Sequence, residues 1–352
     1  MSSLDRIATS PVDAGAVPVG PTSPAHNKPG IESSPQIAAT LLWELRQGVT
    51  LTPGVGPVGT GFEPLDSILD GGLLAGEVVL LGGQPGCGKT IAGLQWARHI
   101  NRSGRRVSFV CFEHDESSLL NRLLVQELSL ISGMLDSTEH HRIKVLIRDM
   151  MLGTVSIEDA YDSSPYIEQS LVNLERFSRN LQLLRGSARN TTAADLADIC
   201  GTHVHGGGVI FVDYLQKLHA PGAQNFEDRV HRSIEVLKDL AVSHQTTVVA
   251  ISAAMRPRGV VDRLRLGDLQ GSSSLANECD VAILMNEKVN AVSERHLKYD
   301  LTQIEAAKRR TVFSIEKNRR GEVDAHVEFL KDFSNYRFDP RGNFMAEALA
   351  GQ

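Results

Sequence analysis

Apolar positions along this chain gather in short runs separated by stretches of mixed polarity. EVVLLGG, VSFVCF, LQLL, GVIFVDY, TVVAIS, DVAILM, TVFSI and HVEFL are nearly continuous in Val, Ile, Leu and Phe. Strands read this way when both faces are covered, because alternation marks only a sheet with one wet face. Several of the intervening stretches carry apolar residues three and four positions apart and predict helices. Strands alternating with helices predict an α/β fold, a mainly parallel twisted sheet flanked by helices. The last runs lie close together, so antiparallel strands are expected at one edge.

The ends read differently. Residues 1–35 are rich in Ser, Pro, Ala and Gly, with only Leu4, Ile7 and Ile31 as large aliphatic residues after Met1. Such a segment cannot offset the entropy of its own ordering, and a disordered tail is expected. In QIAATLLWELRQG, Ile37, Leu41, Leu42 and Leu45 fall at helical spacing with Gly48 as a stop. Residues 36–55 are therefore read as one short amphipathic helix and a connector, 56–340 as the main domain, and 341–352 as a C-terminal tail.

Composition narrows the class. The 352 residues are 41% apolar and 22% charged, an ordinary globular balance that permits a sizeable core. No run approaches the roughly 20 apolar residues of a membrane span, and no secretory leader is evident, so a cytoplasmic protein without a membrane partner is expected. Cys87, Cys111, Cys200 and Cys279 form no CxxC pair, which argues against a zinc ribbon or a disulfide framework. His140, His141, His203 and His205 have no completing carboxylate or cysteine pattern and are read as solvated or core histidines. The formal charge of −6 advertises no general affinity for nucleic acid, so any such contact must come from a local basic strip.

One stretch carries chemistry by itself. Gly83-Gln84-Pro85-Gly86-Cys87-Gly88-Lys89-Thr90 fits GxxxxGK[ST] between a strand run and the helical stretch IAGLQWARHI. Its glycines let main-chain N–H groups converge on phosphate oxygens at a helix N-terminus. Lys89 is expected on the β and γ phosphates of ATP and Thr90 on magnesium. Asp213 ends the run VIFV, and ligands in open α/β sheets bind beyond the carboxyl ends of strands, so it is the second expected magnesium contact. Glu113, after VSFVCF, is either a base for the attacking water or else a solvated acid or helix N-cap; Asp115 and Glu116 are better read as a solvated acid or helix N-cap.

The ordered set TGFEPLDSILDGG, GQPGCGKT, FEHDESSLLNRLL, VIFVDYLQKL, TVVAISAAMR, LQGSSSLANECDVAILM, SIEKNRRGEVDAHVEFL and NYRF resembles a RecA-like P-loop NTPase core. More narrowly, it resembles the carboxyl-terminal motor domain of DnaB-type hexameric helicases across about residues 56–340. The resemblance implies ATP hydrolysis at the subunit interfaces of a ring of identical chains, most simply a hexamer. It implies that Glu113 activates water, and that Lys317 and Arg319 enter the neighbouring subunit's ATP site; standing alone, KNRR would be a solvated strand end. It also implies single-stranded DNA held near Arg256, Arg258, Arg263, Arg265, Gly271, Ser272 and Ser273, against the plain alternative of a surface loop.

Two departures qualify the likeness. Those helicases carry a glutamine after the serine of TVVAIS, whereas this chain has Ala253 and then Ala254, leaving Ser252 or Arg256 to take its part. The helical N-terminal domain of the replicative enzymes has no counterpart in the first 48 residues, and the helix near Leu42 either packs on the next subunit or folds back on its own. A RadA- or KaiC-like ATPase and a nucleotide-gated scaffold with weak hydrolysis stay open as rivals. The segment 286–310, basic at Lys308-Arg309-Arg310, is read as a helical elaboration without assigned chemistry.

Overall fold

The computed structural model describes residues 38–48, 56–131, 133, 135–254, 263–292 and 301–345. The expected tail at 1–35 and the connector at 49–55 lie outside them. The chain divides into two units, Met1–Pro53 and Gly54–Gln352. In the first, α1 spans Ala38–Arg46 and stops where Gly48, at φ 76°, donates its N–H to the Leu45 carbonyl. Left-handed geometry suits glycine because no Cβ meets the preceding turn. Leu42, Trp43 and Leu45 are each more than half exposed.

In the second unit every strand run of the sequence is a strand. Helix α2 (Glu63–Ile68) leads to β1 (Val78–Gly83), followed by α3 (Lys89–Arg102), β2 (Val107–Cys111) and α4 (Glu116–Ile131). Three more helices, α5 (Ser137–Met151), α6 (Ile157–Ser163) and α7 (Pro165–Ser178), precede β3 (Leu181–Arg185). Then come α8 (Ala193–Val204), β4 (Val209–Asp213), α9 (Phe226–Ser243), β5 (Thr247–Ala253), α10 (Ser272–Glu278) and β6 (Val281–Glu287). The chain closes through α11 (Lys288–Ala291), α12 (Leu301–Lys308), β7 (Arg310–Asn318), β8 (His326–Asp332), β9 (Arg337–Phe338) and β10 (Asn343–Phe344).

These strands form one sheet in the order β10-β8-β7-β6-β1-β5-β4-β2-β3, with β9 beside β8. From β6 to β3 every pairing is parallel, and β7, β8, β9 and β10 supply the antiparallel edge. Phe344 pairs with Val327, so the sheet runs a few residues past the boundary read at 340. β1, β2 and β4 are buried at every position, which explains their uninterrupted apolar runs. Their residues point alternately into two cores. Val79, Leu81, Phe109 and Phe211 face α3, α4 and α7, while Val78, Leu80, Ile210 and Val212 face α8, α9 and α10. β3 is only half buried, as an edge strand must be. Side-chain caps fix several helix starts, such as Asp136 accepting from Thr138 and Glu139 on α5 and the reciprocal Thr192–Asp195 pair on α8.

Candidate nucleotide site and interface residues

The loop from Gln84 to Gly88 joins β1 to α3 and turns twice through left-handed geometry, at Gly86 (φ 83°) and Gly88 (φ 95°). Gly88 has a second reason to be glycine: a Cβ there would lie 2.6 Å from the Phe333 ring and 2.8 Å from Phe338. Cys87 turns inward under the loop and is fully buried, so its main chain alone is available to a ligand. All four cysteines are buried thiols, and burial is the first cause that pushes those of Cys111, Cys200 and Cys279 up to about 11.

Lys89 donates from Nζ to the carbonyls of Gly83 (2.8 Å) and Gln84 (2.9 Å), which holds the ammonium inside the loop. Thr90 donates from Oγ1 to Oδ2 of Asp213 at 2.7 Å across a separation of 123 residues. The register explains that meeting: β5 lies between β1 and β4, and its Ala253 and Ile251 pair with Gly83 and Asp213. Asp213 is 2% exposed, and burial pushes its carboxyl up to about 6 despite the Thr90 bond. A buried carboxylate short of positive charge, beside a hydroxyl, is the hard-oxygen donor set that magnesium takes when phosphates supply the remaining ligands. The residues therefore fit magnesium.

Lys89, Thr90, Glu113, Arg122, Asp213, Tyr214, Ala253 and Phe333 line one cavity of about 330 Å³. Glu113, two residues past β2, is exposed at its wall. Arg122 was invisible in the sequence beyond its place in FEHDESSLLNRLL. On α4 it follows buried Leu119 by one turn, and its guanidinium reaches the cavity rim, 2.8 Å from His114 Nε2 and 5.2 Å from the Tyr336 ring centre. Asp115 caps α4 by accepting from Ser118 N at 2.7 Å, one of the two roles open to it in the sequence.

Lys317 and Arg319 lie elsewhere. Lys317 pairs with Ala282 near the start of β6, whereas the phosphate loop leaves the opposite end of β1 beyond Gly83, the partner of Met285. The three residue steps from Ala282 to Met285 amount to about 10 Å along the strands. Lys317 Nζ donates to the carbonyls of Ala276 and Cys279 (both 2.6 Å), and Arg319 to Asn277 O (2.8 Å) and Asp280 Oδ1 (3.0 Å). Both cations thus cover the C-terminal carbonyls of α10, where the helix dipole favours them. Within one chain they do not meet the cavity.

The family described as "DnaB-like helicase C terminal domain" matches residues 57–338. This chain belongs to that family. The replicative DNA helicase DnaB of Treponema pallidum (strain Nichols) is 27% identical over 241 residues, covering 66% of this chain and 48% of that protein. A probable plasmid replicative DNA helicase of Chlamydia muridarum is 25% identical, covering 65% and 47%. The chain therefore spans about half the length of the curated relatives it matches. The DNA repair protein RadA of Aquifex aeolicus is 32% identical over only 100 residues, 26% of this chain. Among solved structures, one described as an ATPase domain aligns with a TM-score of 0.67 at 19% identity over 87% of this chain and 99% of that one. A DnaB-like replicative helicase, in a structure that treats its interactions with primase, aligns at 0.64 and 18%, covering 86% and 68%. The fold is that of the RecA-like helicase ATPase domains.

The family's expected DNA segment holds a correction. Arg263 is 4% exposed and forms an ion pair with Glu316, so it is a structural anchor and not a phosphate contact. The sequence showed one more arginine in a basic stretch; its partner comes from a strand 53 residues on. Arg256 and Arg258 lie outside the described residues. Arg265 and Ser273 are exposed, and Gly271 is buried at φ 82° ahead of α10. Ser252 does not stand in for the missing glutamine at the phosphate: it is fully buried and its Oγ accepts from Gln216. No helix among the described residues is long and apolar enough to cross a membrane.

Proposed function

We propose that this DnaB-family chain is an ATP-driven translocase on single-stranded DNA, a helicase motor working as a ring of identical subunits, most simply a hexamer. One observation carries the proposal: a phosphate loop with a paired Thr90 and Asp213 at one end of the sheet, and Lys317 and Arg319 at the other. A site that lacks its second set of cations within one chain is completed by a neighbour, and such cations stabilise charge developing on a transferred phosphoryl group. Similarity to replicative helicases over two thirds of the chain supports DNA as the track.

In this reading the loop N–H groups and Lys89 bind the triphosphate, with Thr90 and Asp213 holding magnesium. Bound magnesium would neutralise phosphate charge and orient the γ phosphate. Glu113 orients and deprotonates the attacking water, and Arg122 adds a positive group from its own chain. Arg265, Gly271, Ser272 and Ser273 border the path of the strand, where main-chain and hydroxyl donors hold phosphates.

The test is ATP turnover with and without oligo-dT at two salt concentrations. Strong stimulation that weakens with salt is expected, since phosphate contacts release counterions. Turnover indifferent to DNA would turn the argument to the RadA-like reading, and no turnover to the scaffold.

A further inference from the structure

Ala253 ends β5 at the cavity wall, and its methyl group offers a phosphate oxygen no hydrogen bond. Whatever nucleotide does at that point must pass through the main chain, and one buried side chain grips the main chain there. Gln216, three residues beyond Asp213 and 4% exposed, accepts the Ala253 N–H on Oε1 at 3.2 Å. Its Nε2 donates to Ser252 Oγ at 2.7 Å and to the Gln270 carbonyl at 3.2 Å, with the Ala253 carbonyl at 3.5 Å. The amide has two hydrogens, and the two shorter contacts take them. Its orientation is fixed by its partners, because an N–H can only donate and a carbonyl can only accept.

One amide thus ties together the turn after the β4 carboxylate, the end of β5 and residue 270. The last of these is tied again, by its own N–H donating to the Ala253 carbonyl at 3.4 Å, beside the bridge of Ala254 with Leu269. Beyond it, Gly271 leaves no slack: a Cβ there would lie 2.6 Å from Val230 of α9. Gly271 is also the N-cap of α10 and accepts the Leu275 N–H at 3.1 Å, so residue 270 adjoins a helix whose far end is held by Lys317 and Arg319.

We propose that Gln216 is a positioning residue that couples the nucleotide cavity to the 270–273 segment and, through α10, to Lys317 and Arg319. The inference rests on the reading of this chain as a DNA-stimulated ATPase. A chain with alanine at 253 then retains a polar link between nucleotide and strand, carried by the neighbouring turn.

The test uses the full chain and Gln216→Met, which keeps the buried volume and removes the amide. Turnover without DNA, the KM for ATP and the affinity for oligo-dT by fluorescence anisotropy are expected within about twofold of the parent, while stimulation by saturating oligo-dT falls about tenfold or more. Parent-level stimulation in the variant overturns the proposal. So does an equal fall in stimulated and unstimulated turnover, the signature of a merely structural residue. Should the variant fail to assemble, Ser252→Ala, which deletes the shortest contact, is measured by the same ratio: reduced stimulation at unchanged basal turnover supports the link, and full stimulation overturns it. A parent chain that DNA does not stimulate overturns the functional reading and this inference together, whereas a stimulated parent with an equally stimulated variant overturns the inference alone.

Discussion

Arg319 and Arg320 are adjacent in sequence and sit in opposite surroundings. Arg320 is tucked in: it donates to the carbonyls of Leu69 and Gly72 at 3.0 Å each, and its Nε lies 2.9 Å from Glu77. Replacing it by alanine strands a largely buried carboxylate and two carbonyls, so Arg320→Ala is expected to lose about 2–3 kcal/mol in a denaturant titration. Arg319 has half its side chain exposed, and its partner Asp280 keeps Val78 N–H and Lys238 when it is gone. Arg319→Ala should therefore melt within a few degrees of the parent and bind ATP equally well, yet lose about 10³-fold in turnover. Unchanged turnover would refute its role across the interface. At Gly88 the expected effect is on the loop itself: Gly88→Ala meets left-handed strain and two phenylalanine rings, and should cost about 1–3 kcal/mol together with nucleotide affinity, measured by melting and by nucleotide titration.

At the level of elements, the antiparallel edge contains a group that charges only at a cost. His326 opens β8 opposite Ser314, and neither ring nitrogen has a hydrogen-bond partner among the described residues. Burial, then the nearby Arg263 guanidinium, lower its pKa to about 4, with Arg265 adding to this and Asp324 opposing it. The folded chain thus keeps His326 neutral while the unfolded chain protonates it near 6.5, so the unfolded state binds more protons between those values. Stability from this residue is full above about 6.5 and is lost as pH falls toward 4. Asp213, pushed up to about 6, acts in the opposite sense, which is why the comparison is a difference: His326→Gln should gain melting temperature relative to the parent as pH drops from about 7 to about 5. The edge was legible in the sequence because its strands are short and contiguous, and the phosphate loop because its chemistry is local. Arg263 and Gln216 were not, since their partners lie on elements remote in sequence, and Arg122 was not, since the cavity it borders is lined by such elements. Periodicity says that a residue borders the core, not which partner it meets there.

For the whole molecule, the proposed function makes the assembly the functional unit, because the phosphate loop and the cations proposed to complete it lie apart along the sheet. The phosphate loop, Thr90 and Asp213 lie at the carboxyl end of the parallel strands, and Lys317 and Arg319 at the other, joined to α10. If a neighbour supplies the cations, two individually inactive chains should repair one another. Lys89→Ala loses the phosphate grip but keeps Arg319, while Arg319→Ala keeps the phosphate grip but has no arginine to lend. Co-assembled in equal amounts, roughly one interface in four joins an intact loop to an intact arginine, because neighbours in a closed ring of identical subunits are drawn at random. Turnover should therefore rise well above the sum of the two separate variants, and it should rise only when the chains are mixed before assembly, not when preformed rings are combined. A mixture that stays inactive under both protocols while sedimenting as mixed oligomers would mean that the two sets of residues do not meet across the interface, and that Lys317 and Arg319 do no more than cap α10.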